Sequence, residues 1–147
     1  MIIIKGHKLF ARGKDAHKET LCAIEMAEEL AASSMPPHEA IAKLGQGWIA
    51  EEALAISIYC ALVARTFRQG IILAVNHDGD SDSTGSITGN LLGAMYGLRA
   101  IPTIWLESLE LREVITEIAE DLYACRCWNI GIDSEFSERI WHKYPGW

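Results

Sequence analysis

The chain has 147 residues, a formal net charge of −7 and a pI near 5.2; half of it is hydrophobic and 22% is charged. This is the composition of a globular protein with a buried core, and it excludes a disordered or low-complexity chain. The acidic balance excludes a nucleic-acid surface, which needs clustered Lys and Arg, and the longest apolar run, Ala53 to Ala64, is shorter than the ~20 residues of a membrane span.

The opening run Met1-Ile2-Ile3-Ile4 is too short for a secretory signal and precedes its charges instead of following them. The expectation is a soluble, cytoplasmic protein with neither nucleic acid nor membrane as partner. From His17 to Ala32 apolar residues fall at Leu21, Ile24, Ala27 and Ala31, with Glu25, Glu28 and Glu29 on the other side. That spacing predicts an amphipathic helix. Ser33-Ser34-Met35-Pro36-Pro37 ends it, because proline disfavours helical geometry in the residue before it. A short helix from Pro37 to Lys43 then runs into a Gly45-Gln46-Gly47 turn.

Trp48 to Arg68 reads as one long helix with little polar face, which belongs inside a multi-helix core. Gly70 to Val75 fits a buried strand or a short helix, and periodicity does not separate the two. After an acidic loop, Gly85, Gly89, Gly93 and Gly97 recur every fourth residue. On a helix they form one smooth face for the close approach of another backbone, at roughly 1 kcal/mol of lost helix propensity each. Pro102 opens a segment through Trp105, and Glu107 to Ala124 predicts a further amphipathic helix on Leu111, Val114, Ile115, Ile118 and Leu122. The tail from Asn129 to Trp147 is aromatic and poorly patterned; Trp128, Trp141 and Trp147 suit a sealing surface or a core equally. Cys22 and Cys60 sit in apolar helical patterns and read as core, while Cys125 and Cys127 read as free thiols too close together for an easy disulfide. The sum is a single all-helical domain over 1–147.

Asn76-His77-Asp78-Gly79-Asp80-Ser81-Asp82-Ser83-Thr84 is the segment that looks like chemistry. Three carboxylates at alternating positions, with hydroxyls beside them, are the hard oxygen donors that Mg²⁺, Mn²⁺ and Ca²⁺ prefer. One reading is a turn of solvated aspartates with Ser83 or Thr84 capping the following helix. A calcium loop of the EF-hand kind, with Asp78, Asp80 and Asp82 as its first ligands, fails. Ser83 stands where a glycine is needed and Gly89 where a bidentate Glu is needed. The third reading is a catalytic metal site at a helix start.

The wider sequence favours the third. Gly79-Asp80-Ser81-Asp82-Ser83-Thr84-Gly85, with Gly89 and Gly93-Ala94-Met95-Tyr96-Gly97 after it, resembles the C-terminal motif of the ADP-ribosylglycohydrolase family. Leu44-Gly45-Gln46-Gly47-Trp48, Ala50-Glu51-Glu52-Ala53-Leu54-Ala55, Ala74-Val75-Asn76, Ile101-Pro102 and Trp105 follow the family pattern in the same order. The resemblance implies a compact all-α, multi-helix bundle that holds two Mg²⁺ or Mn²⁺ ions and hydrolyses the bond between ADP-ribose and an acceptor. Carried over by motif, Asp80, Asp82 and the Ser83 hydroxyl are the metal ligands, with Asp82 suited to bridging. Gly45, Gly47 and Trp48 border the ADP-ribose pocket; for Trp48 a buried helix-start aromatic is the competing reading. The resemblance assigns no acid–base residue, and His77 reads either as a group serving the metal site or as an ordinary hydrogen-bonding residue.

The family's N-terminal acidic Gly-Asp and Thr-Asp-Asp motifs are missing: Met1 to His17 contains only Asp15. The expectation is therefore a truncated bundle with an incomplete ligand set, a split subunit needing a complementary N-terminal subunit or a second copy. The alternative is a non-catalytic helical remnant that binds ADP-ribose or another protein. Glu51, Glu52, Glu107 and Glu110 are spaced as solvated or structural residues.

Overall fold

The computed structural model describes residues 18–128 and 135–145. Its regular elements are all helices, as the patterning predicts: α1 (Lys18–Ala32), α2 (Pro37–Leu44), α3 (Ala50–Val63), α4 (Phe67–Val75), α5 (Ser81–Tyr96), α6 (Thr103–Glu107), α7 (Arg112–Ala124) and α8 (Glu135–Lys143), with 3₁₀ turns at Leu98–Ala100 and Cys125–Cys127. The chain forms two compact units, Met1–Thr103 and Ile104–Trp147.

In the first unit α3 is the central post. It packs on α1, α4 and α5, while α2 bridges α1 and α3 and α4 lies along α5. The core is built from Ile24 and Ala27 of α1, Ala40, Ile41 and Leu44 of α2, Ala55, Ile56, Ile58, Tyr59 and Cys60 of α3, and Ala74 of α4. Enclosure on most sides explains why the sequence of α3 lacks a polar face. Even its Ser57 is fully buried, with its hydroxyl 2.7 Å from the Ala53 carbonyl and 3.1 Å from the Thr84 carbonyl of α5. Burial pushes the Cys60 thiol up to about 12, which makes it inert as a nucleophile.

Several expectations need correction. Trp48 to Arg68 is not one helix. The chain turns extended at Ala64, and the Thr66 side chain accepts the Gln69 N–H at 3.1 Å, capping a new helix at Phe67. A cap that satisfies an otherwise orphaned N–H competes with helix continuation. Gly70–Val75 is accordingly helix, not strand. The segment from Glu107 does not run straight into α7 either, because Leu111 adopts a left-handed backbone (φ 55°) immediately before Arg112. Cys22 is exposed, on the outer side of α1, and only Cys60 belongs to the core.

The glycine stripe of α5 is not a continuous groove. A Cβ at Gly85 would lie 2.7 Å from Val75 Cγ1, but one at Gly89 would make ordinary contact with Ile71, and Gly93 has open space. Gly97 terminates the helix in a left-handed conformation (φ 74°), a role for which glycine is suited. The tightest helix crossing lies instead at Gly70, where a Cβ would lie 2.4 Å from Leu92 Cδ1 and 3.0 Å from the Ala64 Cβ.

In the second unit, Lys143 of α8 pairs with Asp121 and Glu117 of α7, and the Tyr144 hydroxyl donates to Asp121 Oδ2 at 2.6 Å. Trp128 packs edge-on against Phe136, their centroids 5.8 Å apart, and Trp141 is exposed. Asn129 to Ser134 and Trp147 lie outside the described residues.

The two glycine environments predict opposite responses to alanine. Gly70→Ala forces the buried Leu92 to move and costs about 1–3 kcal/mol in urea unfolding. Gly93→Ala fits without contact and stabilises by about 0.5–1 kcal/mol.

Candidate metal centre

Two loops meet at the start of α5. Gly45-Gln46-Gly47 follows α2, and residues 76–80 follow α4. The Asp80 N–H donates to the Gln46 carbonyl at 2.8 Å. A Cβ on Gly79 would stand 1.9 Å from that same oxygen, so only glycine lets the loops touch here. The first loop is shaped in turn by Glu52 in the first turn of α3. Its Oε2 accepts the N–H groups of Gln46 and Gly47 at 3.1 and 3.0 Å. Gly45 and Gly47 both have left-handed backbones (φ 118° and 83°), and a Cβ at Gly45 would lie 2.4 Å from Glu52 Cδ. The structural reading of Glu52 therefore holds, with its carboxylate as the centre of the turn.

Thr84 anchors the second loop from below. Its side chain is fully buried, and its hydroxyl donates to the Ala74 carbonyl at the end of α4 at 2.7 Å. His77 Nε2 lies 3.0 Å from the same hydroxyl oxygen. The hydroxyl also lies 3.0 Å from the Asp80 carbonyl and 3.3 Å from the Ser81 carbonyl. α5 begins at Ser81, so neither Ser83 nor Thr84 is its cap. Asp80 occupies the cap position and makes no side-chain capping bond.

Asp82 and Ser83 follow Asp80 in the first turn of α5. The Asp82 and Ser83 side chains beside it, with a smaller attraction from His77, hold the Asp80 carboxyl below the usual carboxylate range. The Ser83 N–H donates to Asp82 Oδ1 at 2.8 Å. The three residues expected as metal ligands thus lie at the cap and in the first turn of one helix. Two carboxylates and a hydroxyl suit one hard divalent cation that keeps several waters, as Mg²⁺ commonly does. They do not suit two enclosed ions. Among the described residues no three His, Cys, Asp or Glu side chains cluster as a ligand set.

The residues expected to border a substrate pocket divide. Gly45 lines an open cleft of about 670 Å³ with His38, Ile41, Gln46, Val75 and His77, among others. Gly47 is buried against Thr84 and Asp80. Trp48 is not buried: 67% of its surface is exposed, and its indole N–H donates to Gln46 Oε1 at 3.2 Å. Thr84 and Gln46 tie the loops together, whereas the sequence offered Thr84 as a helix cap and Gln46 as the middle of a glycine turn. The usable signal was a Gly-x-Gly turn followed five residues later by a helix-start glutamate.

Two measurements check this construction. Thr84→Val removes the hydroxyl that bonds the Ala74 carbonyl and contacts His77 Nε2, and costs about 1–3 kcal/mol in chemical denaturation. Asp80, with its folded-state pKa below its unfolded value, contributes stability that is present above about pH 4 and lost as pH falls through the lower folded value. Asp80→Asn therefore flattens the acid limb of a stability-versus-pH curve.

The sequence model of the ADP-ribosylglycohydrolase family matches residues 3–129. ADP-ribosylarginine hydrolase Tri1 of Serratia proteamaculans is 35% identical over 72 residues, which is 49% of this chain and 20% of that protein. ADP-ribosylhydrolase ARH3 of Bos taurus is 27% identical over 110 residues, 67% of this chain and 30% of that protein. The ADP-ribosyl-[dinitrogen reductase] glycohydrolase of Rhodospirillum rubrum is 44% identical over 50 residues, 34% of this chain and 17% of that protein. The chain therefore spans less than a third of the length of these relatives. No solved structure matches it significantly. With most of its length matched by the family's pattern, the chain belongs to the ADP-ribosylglycohydrolase family.

Proposed function

We propose that this chain supplies the metal-binding segment of a cytoplasmic, metal-dependent hydrolase of ADP-ribosyl bonds, completed by a complementary N-terminal subunit or by a second copy. The observation that carries the reading is the placement of Asp80 at the cap and of Asp82 and Ser83 in the first turn of α5, in a member of this family. These residues would hold Mg²⁺ or Mn²⁺, which when bound neutralises charge on substrate oxygens and activates water.

The chain's own groups have distinct tasks in this reading. Asp82, between the other two donors in sequence order, would be suited to bridging if a second ion were supplied with further ligands. The Gln46 carbonyl fixes the Asp80 backbone, so the first ligand is placed before any ion arrives. Gly45, Gly47 and the exposed face of Trp48 border the ADP-ribose site, and the indole offers a stacking surface to a base.

A second reading rests on the ligand count. Because no three acidic, His or Cys side chains cluster among the described residues, the chain alone suits weak binding without turnover, as an ADP-ribose or protein-interaction module. Calorimetric titration of the full chain with Mn²⁺ and ADP-ribose, alongside its mass in solution, separates the two. Mn²⁺ binding by an oligomer or a two-part complex, abolished in Asp80→Ala and Asp82→Ala while helix content is kept, supports the hydrolase. ADP-ribose binding that is indifferent to Mn²⁺ and to both substitutions supports the remnant. Loss of folding in both variants would instead make the aspartates structural.

A further inference from the structure

We infer that Glu52 is a positioning residue of the metal loop, acting on Asp80 through one peptide plane. The inference rests on the metal-site reading above and adds a residue to it. The N–H of Gly47 and the carbonyl of Gln46 belong to the same peptide unit. Its N–H donates to Glu52 Oε2 at 3.0 Å, and its carbonyl accepts the Asp80 N–H at 2.8 Å. The result is a continuous chain from a carboxylate, through one polarisable amide, to the backbone of a proposed ligand.

A negative charge at the N–H end of an amide draws that proton and pushes electron density onto its oxygen. The second hydrogen bond is strengthened by the first, as in other cooperative chains. The Gln46 N–H, also on Oε2 at 3.1 Å, fixes the turn so that the peptide cannot rotate away from Glu52. The packing leaves no alternative arrangement. A Cβ at Gly45 would overlap the Glu52 side chain, and a Cβ at Gly79 would overlap the Gln46 carbonyl. Glutamate is needed here for its charge as well as its length. Glutamine keeps the length but supplies a neutral acceptor.

The test uses the full chain with Mn²⁺ alone as probe, its binding read by the electron paramagnetic resonance of the free ion. Glu52→Gln is expected to weaken Mn²⁺ binding roughly 10-fold, the lower end of what outer-sphere partners of metal ligands contribute. Glu52→Asp, which keeps the charge, is expected to recover part of the loss. In the metal-free protein the amide proton resonances of Gly47 and of Asp80 move upfield together in Glu52→Gln, while Asp82→Asn leaves that of Gly47 in place. A role confined to general stability would not produce this paired shift. Movement of Gly47 without Asp80 overturns the relay. Unchanged Mn²⁺ affinity in Glu52→Gln, with a loss in Asp82→Asn, overturns the positioning role and leaves the metal site standing. Unchanged affinity in both removes the metal-site reading and the inference together.

Discussion

The site depends on one close approach, that of the Gly79 backbone to the Gln46 carbonyl. There is no room for even a methyl group between them, and the Asp80 N–H completes the contact as a hydrogen bond. A protein that needs oxygen ligands in a fixed place must hold them against their mutual repulsion. Side chains alone do this poorly, because exposed carboxylates are free to rotate toward water. Here the backbone carries the load: loop is tied to loop by a main-chain hydrogen bond, and Thr84 locks the beginning of α5 onto the end of α4 beneath them. Both anchors lie on the α3 scaffold, since Glu52 belongs to its first turn and Ser57 touches the Thr84 carbonyl one turn and a half further along.

Small residues make that scaffold possible. Ala53, Ala55, Ser57 and Ala61 of α3, with Gly70 and Ala74 of α4, are buried where helices cross. Each small side chain buries less apolar area than a leucine would, yet it lets main chains come close enough for side-chain-to-backbone bonds between helices. The larger residues Ile24, Ile41, Ile56, Tyr59 and Leu92 supply most of the apolar burial around them. The core is thus divided between residues that fill space and residues that allow approach, and the metal loop sits on the second kind.

That division also explains what the sequence made legible. The helices at α1, α2 and α5 follow from spacing and from Pro36-Pro37, because each has one face against the core and one in water. Asp80, Asp82 and Ser83 stand out in the sequence as carboxylates beside hydroxyls before a glycine-spaced helix, and it is the family resemblance that favours a metal site there over a solvated turn. The break at Ala64–Thr66 was not legible, because an apolar run buried on all sides carries no periodicity to interrupt. Only the Thr66 cap marks it. Nor was the work of the glycines. An even spacing of four suggested a groove along α5, whereas the contacts that forbid a side chain fall on Gly45, Gly70, Gly79 and Gly85, whose partners come from other elements. Sequence records that a residue is small, but not which distant atom it has made room for.

The electrostatics of the loop have a direction. The start of a helix offers roughly half a positive charge, and His77 adds attraction for Asp80. Against two adjacent carboxylates this is insufficient. The neighbouring Asp82 and Ser83 side chains nonetheless hold the Asp80 carboxyl below the usual carboxylate range. Two neighbouring carboxylates at a helix start mark a place where a cation can stand. Because the backbone is fixed by Gln46, Glu52 and Thr84, an ion arriving there would displace water without having to fold the loop. The proposed site is therefore preorganised, unlike small metal domains in which metal binding and folding are one event. Its affinity is then limited by the number of ligands, not by order, and a partner that brings more oxygen donors to the same ion raises affinity without remodelling this chain.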